Sequence, residues 1–120
     1  MHPLYDEANE VVERLRAARL EVAHIAAELA RAEYDLRVTQ ARVERKWIKK
    51  AGGEKSLAPT AEDRARILLV ALDADEEYRA ALQRRDALAL RLEEAKVEAE
   101  ALRNRLSVIL AAMRAEEGSG

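Results

Sequence analysis

Residues 4–36 read LYDEANEVVERLRAARLEVAHIAAELARAEYDL. Within that stretch Leu4, Ala8, Val11, Leu15, Ala18, Val22, Ile25, Leu29, Ala32 and Leu36 recur at alternating spacings of four and three. A heptad pattern of this kind writes a narrow apolar stripe along one side of a helix and leaves the other sides polar. After a Gly-bearing break a second series appears: Ile67, Ala71, Ala74, Tyr78, Ala81, Leu88, Leu92, Ala95, Ala99, Leu102, Leu106, Ile109 and Met113, interrupted at Arg85. Two long helices with one stripe each bury those stripes against one another. The expected fold is all-α: an antiparallel helical hairpin, a long two-helix coiled coil forming one domain over residues 1–120.

Helix boundaries follow from local chemistry. Pro3 suits a first helical turn, and Asp6 and Glu7 are favourable near the positive end of the helix dipole. No Gly or Pro then intervenes until Gly52 and Gly53, which supply the positive φ of a C-cap behind Lys46, Lys49 and Lys50. Helix 1 is therefore placed at about 3–51, on the order of 70 Å long at the usual rise. The connection, about 52–59, is short enough for a hairpin tip. Helix 2, about 60–117, starts at Thr60 as N-cap with Asp63 three residues on. A second start signal, Asp73-Ala74-Asp75-Glu76, gives either a continuous helix or a kink near Leu72–Asp73, with Asp73 as the cap. The seam spacing keeps its phase there, which favours continuity or a mild kink.

Composition narrows the function classes. Apolar residues are 49% of the chain, but Phe and Cys are absent and Ala supplies much of that count, so burial per residue is modest and association with further copies is expected. Charged residues reach 37%, the profile of long surface helices and coiled coils. Without cysteine there is no disulfide, thiolate chemistry or Cys-based zinc site. The first residues do not form a signal peptide, and no stretch has the apolar length to span a bilayer. A cytoplasmic protein without a membrane partner is expected. Two segments, Ile67-Leu68-Leu69-Val70-Ala71-Leu72 and Val108-Ile109-Leu110-Ala111-Ala112-Met113, are apolar all round the helix. One partner helix cannot cover them. Ile67, Leu68, Leu69, Val70, Leu72, Val108, Ile109, Leu110 and Met113 are therefore assigned to contacts between copies of the chain in a homo-oligomer.

The strongest candidate site is the tip of helix 1. From Ala41 to Ser56, Arg42, Arg45, Lys46, Lys49, Lys50 and Lys55 face only Glu44 and Glu54, a local charge of +4 in a chain of net charge −2. Trp47, the one tryptophan, sits among them. Cations that track phosphates, with an aromatic ring to stack on a base, suit single-stranded nucleic acid. The same residues also suit a solvated helix end with dipole-complementing lysines and a Trp packed beneath the loop. The Asp73, Asp75, Glu76, Glu77 run lacks the glycine of a calcium loop and reads as a helix start or solvated face. His2 and His24 are too few and too distant for a metal site or triad, and His24 reads as a flank of the seam. Arg85 falls at a seam position, where its stem could snorkel outward or its guanidinium could pair with Asp86 or Glu33. No nucleophile–base pair and no Gly-rich phosphate loop is present, so neither an enzyme nor a cofactor is expected.

Taken in order, these features resemble the small recombination-mediator proteins of tailed phages, the UvsY type. The resemblance is carried by Ala41-Arg42-Val43-Glu44-Arg45-Lys46-Trp47 and Gly52-Gly53-Glu54-Lys55-Ser56. It continues through Leu69-Val70-Ala71-Leu72-Asp73-Ala74-Asp75, and through Leu102-Arg103-Asn104-Arg105-Leu106-Ser107-Val108-Ile109 to Met113-Arg114. It spans roughly Glu33 to Glu117 and rests on order, length and residue type rather than on a signature motif. It implies a homo-oligomer that binds single-stranded DNA, contacts a RecA-like recombinase and a single-strand-binding protein, and helps the first replace the second on DNA. It also implies DNA contacts at Arg42, Arg45 and Lys46, with Trp47 in the aromatic place; Lys49, Lys50 and Lys55 are added from local charge. Where the family carries a Lys-Ala-Arg-Leu-like run, this chain has Arg42-Val43-Glu44-Arg45. The alternatives are a structural coiled-coil scaffold without nucleic-acid binding and, with less in its favour, a hairpin regulator of RNA polymerase. The latter presents acids at its tip, where this chain presents bases.

Overall fold

A computed structural model describes residues 3–119; His2 and the terminal Gly120 lie outside the described residues. Among the described residues four helices follow in chain order: α1 (Pro3–Ala51), α2 (Glu54–Leu57), α3 (Ala61–Ala74) and α4 (Glu76–Ser119). They pack as two compact units, Met1–Ala27 with Ala89–Gly120, and Glu28–Leu88. Among the described residues there is no strand, and no helix is long and apolar enough to cross a membrane.

In the first unit the opening part of α1 packs on the later part of α4. Its core is Ala8, Val11, Leu15, Leu102 and Ile109, with Leu4, Ala18, Ala99, Leu106 and Met113 packed against it. These are the seam residues of the two series, buried because each stripe removes the other from water. Arg105 pairs with Glu7 at 3.0 Å and Arg91 with Glu21 at 3.6 Å. Residue numbers fall on α4 as they rise on α1, so the segments run antiparallel.

The second unit holds the remainder of α1, α2, α3 and the first turns of α4. Ala32, Leu36, Thr39, Val43, Ala58, Ala71, Leu72 and Leu88 are buried. Arg84 approaches Asp35 at 3.9 Å and Arg42 meets Glu77 at 2.9 Å, again in antiparallel order. Thr39 is a seam member that the aliphatic pattern omits, although it lies three residues after Leu36 and four before Val43. Among the described residues no fully buried side-chain polar atom lacks a hydrogen-bond partner. Arg85, at the other polar seam position, is half-buried, and its Nε donates to Asp86 Oδ1 at 2.8 Å.

The turn between α1 and α3 satisfies its backbone locally. Gly52 N donates to Lys49 O at 3.1 Å and Gly53 N to Ile48 O at 2.9 Å, the paired bonds of a Schellman C-cap. Gly52 has φ +90°, a conformation that glycine adopts without the Cβ penalty. The connection contains the single turn α2. Thr60 Oγ1 then accepts from Asp63 N at 3.1 Å, and Arg64 Nη1 donates to Ala58 O at 3.1 Å.

Helix 2 of the sequence pattern, expected as a continuous helix or one kinked near Leu72–Asp73, is two helices, and the break falls at Asp75. Asp75 leaves helical geometry (φ −83°, ψ 120°), its N–H donates to Leu72 O, and its Oδ1 accepts from Tyr78 N at 2.8 Å. Asp75, not Asp73, is thus the cap of α4. The seam phase also differs from the expected one. In α3 the inward residues are Leu68, Ala71 and Leu72, while Ile67 and Ala74 are exposed. The non-helical dihedral at Asp75 resets the phase, so the seam resumes at Tyr78 and Ala81 in α4. Leu72 and Ile109, assigned from sequence to contacts between copies, are only 4% and 5% exposed. They belong to the chain's own core, and Met113 packs against that core too.

Two outcomes follow for stability. Val11 is 1% exposed, so Val11→Ala lowers the unfolding free energy by roughly 2 kcal/mol, whereas truncation of the exposed Leu20 changes it by less than about 0.5 kcal/mol. Asp75→Ala removes a cap and costs about 1 kcal/mol, while Asp73→Ala stays within about 0.5 kcal/mol. Urea titrations followed by circular dichroism measure both pairs.

Candidate nucleic-acid interface

The C-terminal turns of α1 position most of the basic cluster. At roughly 100° per residue, Arg42, Arg45, Lys46 and Lys49 fall within an arc of roughly 100°. Val43 and Trp47 point to the side on which α3 packs. Lys50 lies between the two sets, and its Nζ stands 5.5 Å from the centroid of the Trp47 ring. Lys55 is exposed on α2. The structure therefore gathers Arg42, Arg45, Lys46 and Lys49 on one exposed face of α1, with Lys50 and Lys55 off it, and it separates Trp47 from that face.

Their electrostatic surroundings differ. Arg42 is held by Glu77 at 2.9 Å, both side chains more than half exposed. Such a pair adds little to stability, but an incoming phosphate would have to compete with the carboxylate. Glu44 accepts a hydrogen bond from Gln40 Nε2 at 3.0 Å. Among the described residues, no carboxylate pairs with Arg45, Lys46, Lys49 or Lys55. Those four are the cations with the least to lose on meeting a polyanion.

Trp47 is 39% exposed and lines an open groove of about 380 Å³ with Arg66, Ile67, Val70, Ala71 and Ala74. Ile67 and Val70 were assigned from sequence to contacts between copies and Trp47 to base stacking; the groove brings all three together. Arg66 closes one side and is itself held by Glu62 at 2.9 Å and Asp63 at 3.7 Å. Arg66, Ala71 and Ala74 were not read as part of any site. The available signal was spacing: Trp47 stands four residues after the seam member Val43, and Ile67, Val70 and Ala74 follow one another at three and four. A groove of this lining takes apolar or aromatic groups, with cations at its margin. The acids of α3 and α4 are dispersed in role, Asp75 capping a helix and Glu77 pairing with Arg42. Among the described residues no group of three His, Cys, Asp or Glu is arranged to hold a metal ion. His24 lies exposed on α1.

Because Trp47 is 39% exposed and much of its side chain is out of water, its removal costs stability in the absence of any ligand. Trp47→Ala lowers the unfolding free energy by roughly 1–2 kcal/mol, less than for a fully buried Trp; denaturant titration of the free protein measures it. A ring serving only to stack on bases would be lost without such a cost.

Comparison with protein-family models, with curated proteins and with solved structures finds no match to this chain.

Proposed function

We propose that this chain is a self-associating, non-catalytic helical protein that binds single-stranded DNA through the basic face at the end of α1. The observation that carries the reading is that face: Arg45, Lys46 and Lys49 exposed together on α1, without carboxylate partners among the described residues, and Lys55 exposed on α2. Cations so placed displace counterions from a phosphate backbone and bind with little regard to base sequence. Trp47 contributes through its groove, where a base edge or sugar could lie beside the ring under Lys50. Arg42 serves once Glu77 releases it.

Self-association rests on exposed apolar side chains, Ile67, Leu69 and Val70 on α3 and Val108 and Leu110 on α4. Exposed apolar groups of that kind on a charged surface mark interaction sites. Several tips on one assembly raise the effective concentration of binding sites along a strand, so avidity exceeds single-tip affinity by orders of magnitude. The more specific role, a cytoplasmic recombination mediator that helps load a RecA-like recombinase onto DNA covered by single-strand-binding protein, is supported by the resemblance to the UvsY type. One observation favours a plain scaffold instead: Lys50 Nζ stands over the Trp47 ring, 5.5 Å from its centroid, an arrangement that needs no ligand.

Fluorescence polarisation of a labelled single-stranded oligonucleotide at several salt concentrations separates the two readings. Changing Arg45, Lys46 and Lys49 together to Ala weakens binding about tenfold or more at low salt. It also reduces the log–log salt slope by about 2, since each cation contributes roughly 0.7. Absence of binding at low salt, or an unchanged slope in the triple variant, leaves the scaffold reading.

A further inference from the structure

α4 carries a second line of residues on the side away from its buried seam. Leu90, Glu94, Val97, Ala101, Asn104 and Val108 each stand two positions after a seam member, from Leu88 to Leu106. Two positions turn the helix by roughly 200°, so the outer line repeats the heptad spacing on the opposite face. Leu90, Val97 and Val108 are 62%, 68% and 69% exposed. A shallow groove of about 470 Å³ follows the middle of the line, between Lys96, Val97, Glu100, Ala101 and Asn104. A helix with heptad lines on two faces is built to be covered twice, and within its unit only the inner face of α4 is covered by α1.

We propose that this outer line pairs with the same line of a second copy, antiparallel, with Ala101 of one copy packed against Asn104 of the other. Charge decides between the possible arrangements. In this register Val97 meets Val108, and Glu94 meets Ala111. Along the flanks Glu98 meets Arg105 and Glu93 meets Arg114, each pair occurring twice by the two-fold axis. A shift by one heptad places Glu98 against Glu98 and Arg91 against Arg105. A parallel pair buries Glu94 against Glu94 and sets Glu93 beside Glu98. Like charges so placed oppose association, and a desolvated carboxylate pair most of all. Arg105 already meets Glu7 at 3.0 Å in its own chain, but a guanidinium presents several donors and can serve two carboxylates. A contact of three heptads lies below the usual size of tight interfaces, so dimerisation at micromolar concentration is expected.

This interface deepens the self-association proposed above and rests on that part of it, not on DNA binding. The chain has no cysteine, so single thiols report the arrangement directly. Val97→Cys and Val108→Cys, prepared separately and mixed under mild oxidation, form a disulfide-linked dimer between unlike variants and none in either variant alone. Linkage of one variant to itself, or no linkage in the mixture, overturns the proposal. Val97→Glu weakens association at least about tenfold by sedimentation equilibrium, with helicity checked by circular dichroism. If the chain associates and Val97→Glu leaves the constant unchanged, this interface is wrong while self-association stands. Loss of oligonucleotide binding by the unaltered protein would count against the tip and leave this interface untouched.

Discussion

Two narrow aliphatic stripes hold this fold together by burying one another. Each helix offers one line of Leu, Ile, Val and Ala, and that line leaves water only if an antiparallel neighbour presents a matching one. In the first unit the lines meet around Val11, Leu15, Leu102 and Ile109. In the second they meet around Leu36, Val43 and Leu72. Because many seam positions are alanine, the helices gain limited apolar burial within each unit. What remains exposed is unusually informative in such a chain, since a thin core leaves apolar side chains outside it that an intramolecular role does not explain.

Two local devices turn that seam into a site. The Schellman turn at Gly52–Gly53 stops α1 while its last turns still carry exposed lysines. The cap at Asp75 lets α3 adopt a different phase from α4, which turns Leu68 and Leu72 inward and leaves Ile67 and Val70 beside Trp47. Without that reset, Ile67 and Ala74 would fall on the buried line and the groove would have no wall. The basic face and the apolar groove are thus neighbours on α1 but point to different sides of it.

The regular part of this fold is legible in the sequence, because heptad spacing, helix-stopping glycines and the Thr60 cap are local signals. Thr39 was equally local and was passed over only because hydroxyls are seldom read as seam. The position of the break was harder. Asp73 and Asp75 both suit an N-cap, and Glu76 at the third position after Asp73 made the earlier one attractive; the choice depends on which dihedral the packing of Leu72 permits, which spacing does not encode. The same limitation hid the groove. Its wall follows from the rotated phase of α3, so Trp47 and Ile67 looked like parts of separate sites. The cations of the tip were visible from composition, but that Glu77 would engage Arg42 and not its neighbours required the antiparallel register.

Copies of this chain are proposed to assemble through their exposed helical faces and to present basic tips to single-stranded DNA. Sedimentation of the full chain, alone and with a single-stranded oligonucleotide at low and high salt, tests this most directly. The expected mass exceeds that of one chain in both cases, with the oligonucleotide co-sedimenting at low salt and released at high salt. A monomer throughout, with the oligonucleotide sedimenting separately even at low salt, would contradict it.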